Sequence, residues 1–282
     1  MRLENRTLSE KIWRPLFFAI CASVLAFLSL PILAIAPLSV NDSIFLAYPF
    51  KGFSWRWYQD FLSGPHWMAP LRNSFLIASV VSVVSAIVGT AAAVGMSFLS
   101  AKYQWAIKIV TLFPLIVPVA ITGIGIYFLC NQLGLTGTFT GLVMAHTVLA
   151  IPFVVFSVST SLQGVERNWL RAASSLGASP LVVMRRIVVP LIAPSIVVGS
   201  ILAFMTSFDE VVVSLFIAGP TRRTLPIQML LGLKEEMRPT LIAVACILTA
   251  ISAILIFTVE LLRRRDTIRK TVPSELLTAN EE

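Results

Sequence analysis

Three side chains in this sequence could hold a charged solute or move a proton in an apolar setting: Asp209, Glu210 and His146. The two acids are adjacent and interrupt a long apolar stretch between Arg186 and Arg222. Burying a carboxylate in hydrocarbon costs at least about 2.5 kcal/mol, so such residues face a bundle interior or a water-filled path. Successive helical positions point about 100° apart, so one of the pair is expected to face a path directly. Negative charge there suits a cationic solute; pairing with Arg222 or with another subunit is the alternative. His146 sits inside another apolar run, where an imidazole bonds helix to helix, relays a proton or touches solute. With two histidines and scattered acids, no cluster of His, Asp, Glu, Cys or Ser has a catalytic arrangement, which argues against an enzyme. Cys21, Cys130 and Cys246 lie in or beside apolar runs without metal-ligand spacing and read as small core residues. No Lys follows a Gly, so the chain has no GxxxxGK[ST] phosphate loop.

The elements that must position these residues are membrane helices. Of the 282 residues 57% are hydrophobic and 13% charged, with a mean hydropathy of +0.86, whereas about a quarter of a soluble domain is charged. A helix needs about 20 apolar residues to cross about 30 Å of hydrocarbon. The runs predict an all-α polytopic bundle of about six spans: Pro15 to Leu38, Asn73 to Leu99, Ile107 to Cys130, Phe139 to Ser161, Pro190 to Ala218 and Thr240 to Leu262. The first run is longer than the apolar core of a signal peptide and is expected to stay as a span. Gly134 and Gly137, with Asn131, Gln132, Thr136 and Thr138, mark a hairpin loop between the third and fourth.

The net charge of +8 comes from basic residues clustered at the ends of apolar runs, a pattern of topology determinants rather than of a nucleic-acid surface. With the N-terminus inside, Arg2, Arg6, Lys11 and Arg14 are cytoplasmic, and 15 of the 22 Lys and Arg residues fall on that side. Both termini are then expected in the cytoplasm. The first outer loop carries Trp55, Trp57, Tyr58 and Trp67, which suit an interfacial anchor or an external contact. Glu235 and Glu236 in the last outer loop solvate it or meet a delivery protein.

Between the fourth and fifth spans, Val165, Trp169, Ala172, Ala173 and Leu176 recur at helical spacing and predict a short amphipathic helix. Gly177 is placed to end it in the left-handed conformation. Ser179 and Pro180 read as the N-cap and first position of the next helix, which runs through Arg185 and Arg186 into the membrane. A helix, a glycine turn and a second helix make a lever that another protein could push; a helix lying on the inner leaflet is the other reading.

The run Arg171-Ala172-Ala173-Ser174-Ser175-Leu176-Gly177, then nine residues, then Ile187-Val188-Val189-Pro190, resembles the EAA loop of binding-protein-dependent ABC transporter permeases. That loop reads E-A-A, three residues, G, nine residues, I-x-L-P. Arg171 stands where the family usually has Glu, and Val189 stands for Leu. The resemblance extends from about Leu71 to Leu262. The stretches Ala145–Phe153 and Ser207–Val213, and Gly219-Pro220 followed by Thr224-Leu225-Pro226, are similar to the second permease subunit of the spermidine/putrescine branch.

The resemblance implies a type I ABC importer permease fold in a bacterial inner membrane, with no cofactor on this chain. It implies a homologous permease partner, two copies of a cytoplasmic ATPase carrying ATP and Mg²⁺, and an external solute-binding protein. Trp169, Arg171, Ala172, Ala173, Leu176, Gly177, Ile187 and Pro190 become the ATPase-coupling loop, and Asp209, Glu210 and His146 the candidate solute path. The implied division is a tail, first span and outer loop over residues 1–70, a core over 71–262 containing the coupling loop at 164–190, and a cytoplasmic tail over 263–282. A permease for another small solute, or a secondary transporter or channel, is the alternative; the latter calls for coupling acids in several spans.

Overall fold

The computed structural model describes residues 8–278 apart from 47, 236 and 237; Arg2, Arg6 and Glu236 thus lie outside the described residues. Apart from one isolated bridge between Asn41 and Phe53, the described regular structure is helical. The chain divides into two compact units, one built from the residues up to Ser63 with Gly232–Leu248, the other from Gly64–Leu231 with the chain from Thr249 onward.

The first unit contains α1 (Leu8–Ile35), which continues through a 3-10 turn at Ala36–Val40, and α2 (Arg56–Ser63). No residue of the apolar window of α1 is buried within this chain. The loop beyond it is held by polar contacts: the Trp57 indole N–H donates to the Asn41 carbonyl at 2.7 Å, and the Thr240 hydroxyl donates to Asp60 Oδ2 at 2.7 Å. Trp57 is therefore a buried core residue of this unit, and Trp67 is buried at the start of the next, while Trp55 stays exposed. Of the four aromatics read as interfacial, Trp57 and Trp67 are thus buried.

The second unit is built on α3 (Pro65–Ser97), α6 (Phe139–Gln163) and α9 (Val189–Phe208), which pack mutually. They meet at Val154. A Cβ on Gly89 of α3 would lie 2.8 Å from Val154 Cβ, and one on Gly199 of α9 would lie 2.9 Å from Val154 Cα. Lipid tails are as apolar as leucine, so helices in a bilayer gain by close packing over small residues and by hydrogen bonds between helices. Both are present. The hydroxyl of Ser82 donates to the Ser200 carbonyl at 2.7 Å, and that of Ser157 to the Ser195 carbonyl at 2.8 Å.

Between α3 and α6 the chain forms α4 (Ala101–Ile116) and α5 (Val119–Gln132), bent by 102° from each other. A single third span was expected. Pro118 explains the break: it has no N–H to donate, and it drives Val117 into the extended conformation, at ψ 136°. Gly134 and Gly137 have φ of +67° and +75°, and Thr138 caps α6 by accepting the Gly141 N–H at 3.0 Å, so the hairpin loop falls where expected.

The helix entering the fifth span begins where Ser179 and Pro180 predict, but the span ends earlier than expected. Helix starts at Pro180, as α8 (Pro180–Val183), and passes through a π-helical turn at Met184–Val188 into α9. It stops at Phe208, not Ala218; a break at residues 209–211 precedes α10 (Val212–Ile217). Asp209 and Glu210 thus lie at the end of the span, where a polar pair ends a helix more cheaply than it crosses hydrocarbon. α11 (Leu225–Glu235) and α12 (Thr240–Thr278) follow, and the described residues hold five helices long and apolar enough to cross a membrane, or six if α4 and α5 form one crossing.

Candidate functional site

The lever predicted between the fourth and fifth spans is α7 (Arg167–Ser175) and its turn. Gly177 has φ +79°, a region that costs other residues about 1–2 kcal/mol. Around it the Gly177 N–H donates to the Ser174 carbonyl at 3.0 Å and the Ala178 N–H to the Ala173 carbonyl at 3.1 Å. Those two bonds close the helix end in a Schellman motif. Ser179 is extended, at ψ 154°, with Pro180 following as first residue of α8, and its carbonyl accepts the Val183 N–H at 3.0 Å. Its hydroxyl makes no capping bond.

The apolar stripe of α7 is divided lengthwise. Val165, Leu170, Ala173 and Ala178 are half-buried against the core, together with Ile187 of the π-helical turn. Trp169, Ala172 and Leu176, at positions i, i+3 and i+7, form the other edge of the stripe and stay open; Trp169 is 48% and Leu176 89% exposed. The residues lie on one apolar face as expected, since Trp169 and Ala173 are about 40° apart around the helix, but only one edge of that face is covered. Leu181 of α8 is 78% exposed. Nothing lies within 4 Å of a Cβ built on Gly177. The outer face is therefore apolar, small in its centre and open. Arg171 and Pro190 are exposed, and the main helix-to-helix partner of α7 is α8.

The solute-path candidates sit at the other end of α9, a 20-residue helix about 30 Å long. His146 is fully buried on α6, its Nδ1 2.8 Å from the Ser207 hydroxyl and its Nε2 2.8 Å from the Ser214 hydroxyl. It ties α6 to the last turn of α9 and to α10. Glu210 Oε1 accepts the Val213 N–H at 2.8 Å, so its carboxylate caps α10. Asp209 is exposed, and no ion pair joins it or Arg222 to a described residue. The break thus brings His146, Ser207, Glu210 and Ser214 around one turn, and leaves Asp209 free. Ser207 and Ser214 escaped the sequence reading, since serines 61 and 68 residues from a histidine carry no local signal of pairing. Among the described residues no group of three His, Cys, Asp or Glu side chains could hold a metal ion.

A helical bundle with five or six candidate crossings and a short amphipathic helix leading into one of them is the architecture of a multi-pass membrane protein. Residues 85–266 match the family described as binding-protein-dependent transport system inner membrane component, and the chain belongs to that family. It is 28% identical, over 86% of its length and 94% of the relative's, to the "Spermidine/putrescine transport system permease protein PotC" of Haemophilus influenzae. It is 31% identical to the "Putrescine transport system permease protein PotI" of Escherichia coli, over 79% of this chain and 81% of that one. Among solved structures it resembles a bacterial ABC transporter involved in the import of alginate, with a TM-score of 0.65 at 14% identity, covering 93% of this chain and 99% of the other. An amino acid ABC transporter is similar with a TM-score of 0.55 at 19% identity, over 74% and 98%. At those identities the likeness is one of fold.

Proposed function

We propose that this chain is the permease subunit of an ATP-driven importer for a polyamine of the spermidine and putrescine class. The observation that carries the reading is the outer face of α7, where Trp169, Ala172 and Leu176 stand exposed beside the open turn at Gly177. Large apolar side chains on a short helix outside the spans call for a partner surface. The occupant we infer is a cytoplasmic ATPase that carries ATP and Mg²⁺, one copy on this chain and a second on a homologous permease. Closure of the ATPases would press on α7, tilt α8 through the Gly177 turn and move α9 as a rod. Its far end carries the bend at Asp209 and the His146 pin, where the path would open. Asp209, exposed and unpaired, is the acid of choice for attracting a cation to that path, delivered by an external binding protein; His146 and Glu210 hold the bend in shape. Both termini lie in the cytoplasm in this reading.

The test is co-purification of the tagged full-length chain from its own host membrane, followed by ATPase assays in lipid with and without the binding protein and solute. An ATPase that travels with the chain and is stimulated by spermidine or putrescine is the expected result. Stimulation by a different solute, such as sulfate, would replace the substrate class; transport by the purified chain alone would remove the importer reading.

A further inference from the structure

Behind α7, on the side away from its exposed stripe, lies a cavity of about 940 Å³. Its walls are the turn from α3 to α4, the last turns of α6, α7 itself and the π-helical turn at Met184–Val188. Two cations line it, Lys108 of α4 and Arg171 of α7, and no acid does. Neither makes a salt bridge or hydrogen bond with a described residue. Lys108 is half-buried, seven residues into an apolar helix, about 10 Å from its start. A half-buried ammonium in a cavity whose lining holds no acid is available to pair with an anion. Ser159 also lines the cavity, and its buried hydroxyl has no hydrogen-bond partner. Gln163 of α6 and Ser100 of the turn from α3 to α4 add polar groups to the lining.

The anion's chemistry follows from the donors and from where the mouth sits. Arg and Lys in one lining with hydroxyls and amides suit a phosphate, to which a guanidinium can bond through two N–H groups at once. Phe98, Tyr103 and Trp105, in and just after the turn that forms one wall, are 75%, 61% and 68% exposed. Exposed aromatic rings of this kind mark the boundary between lipid and water, the depth at which headgroup phosphates lie. We propose that this cavity binds a phosphate of net negative charge between Lys108 and Arg171, supplied by an anionic phospholipid headgroup. Bound there, it would bridge α4 to α7 and restrain the lever from behind. The site stands on the cavity and its cations, independently of the solute or the ATPase.

The experiment uses the full-length chain in nanodiscs of phosphatidylcholine, alone or doped with phosphatidylglycerol, with thermal unfolding and native mass spectrometry as readouts. Phosphatidylglycerol should raise Tm by about 2–4 °C, and about tenfold more of it than of phosphatidylcholine should stay bound after detergent transfer. Both effects should vanish in Lys108→Gln and Arg171→Gln, persist in Lys108→Arg, and persist in Lys102→Gln, which removes an exposed charge of the same helix outside the cavity. In phosphatidylcholine alone, Lys108→Gln should melt no lower than the parent, since it deletes an uncompensated charge; this separates loss of binding from loss of fold. Inorganic phosphate added to phosphatidylcholine discs tests the other source. A shift from it that disappears in Lys108→Gln supports the anion site with solution as its supplier. An equal response of parent, Lys108→Gln and Arg171→Gln to phosphatidylglycerol, or no response in the parent to either anion, overturns the proposal.

Discussion

The N–H of Ala178 reaches back across Gly177 to the carbonyl of Ala173 at 3.1 Å, and this bond sets the angle at which α7 meets α8. Gly177 has to hold φ at +79° for it to form. Gly177→Ala should strain the turn by about 1 kcal/mol without any clash, because the space around that Cβ is empty in this chain. Gly177→Asp adds a charge to the open apolar face. We expect normal membrane insertion and a near-parental Tm for both. Solute-stimulated ATPase of the assembled transporter should fall several-fold in Gly177→Ala and vanish in Gly177→Asp. Normal coupling in Gly177→Asp would dismiss the lever.

His146 makes a different kind of prediction, since both its ring nitrogens are engaged by serines on other helices. Inter-helix hydrogen bonds in membrane proteins contribute about 0.6 kcal/mol each on average and up to about 1.7. Replacing His146 by Ala also leaves a void, so a loss of about 2–4 kcal/mol is expected, seen as a lower Tm in detergent. A cycle with Ser214→Ala should show coupling of about 0.5–1.5 kcal/mol. Strict additivity would mean that the two side chains do not share a bond in the membrane.

The helix, glycine turn and second helix at α7 and α8 were legible in the sequence because their signals are local. A glycine that must take a left-handed backbone, a proline at a first helical position and apolar residues at helical spacing each act within a few residues. The spans were legible for the same reason, by length of apolar run. What was not legible depends on distance or on competition. Ile107 to Cys130 has the composition of a single crossing, and the break at Pro118 bends it by 102°. The helix start at Pro180 was legible from Ser179 and Pro180, but its end at Phe208 was not, because the apolar run resumes past Asp209 and Glu210 through Val211 to Ala218. Which edge of the apolar face of α7 is covered could not be told from the sequence, since Leu170 and Ala173 on the packed edge are as apolar as Trp169 and Leu176 on the open one. His146 and its serines are joined by tertiary packing alone.

Close packing at Val154 can be tested with alanine, which is the smallest possible addition. Gly199→Ala places a methyl 2.9 Å from the Val154 Cα, a backbone atom that cannot turn aside, and Gly89→Ala places one 2.8 Å from the Val154 Cβ. Each should force α6 away from its neighbour and destabilise the bundle by about 1–3 kcal/mol. Gly95→Ala and Gly125→Ala meet nothing within 4 Å and replace a poor helix former by the best one, so they should leave Tm unchanged or raise it. Equal effects at all four positions would show that α3, α6 and α9 do not meet at Val154.

Asp209 and Glu210 are adjacent carboxylates with different work to do, and single substitutions should separate them. Glu210 accepts the Val213 N–H, a bond that a Gln side chain can also accept through its carbonyl oxygen and an Ala cannot. Glu210→Ala should therefore lower Tm by the cost of a lost cap, about 1 kcal/mol, whereas Glu210→Gln should stay near the parent in both stability and uptake. Asp209 supports no described contact through its side chain, so Asp209→Asn should leave Tm alone. If its charge draws a cation toward the path, the same substitution should weaken spermidine uptake in the assembled transporter, and more strongly at low ionic strength, where an exposed charge is least screened. The decisive comparison is Asp209→Asn against Glu210→Gln in one uptake assay across salt concentrations. A salt-dependent loss in the first and not the second is the expected pattern; parental kinetics in Asp209→Asn at every salt concentration would take that acid out of the path.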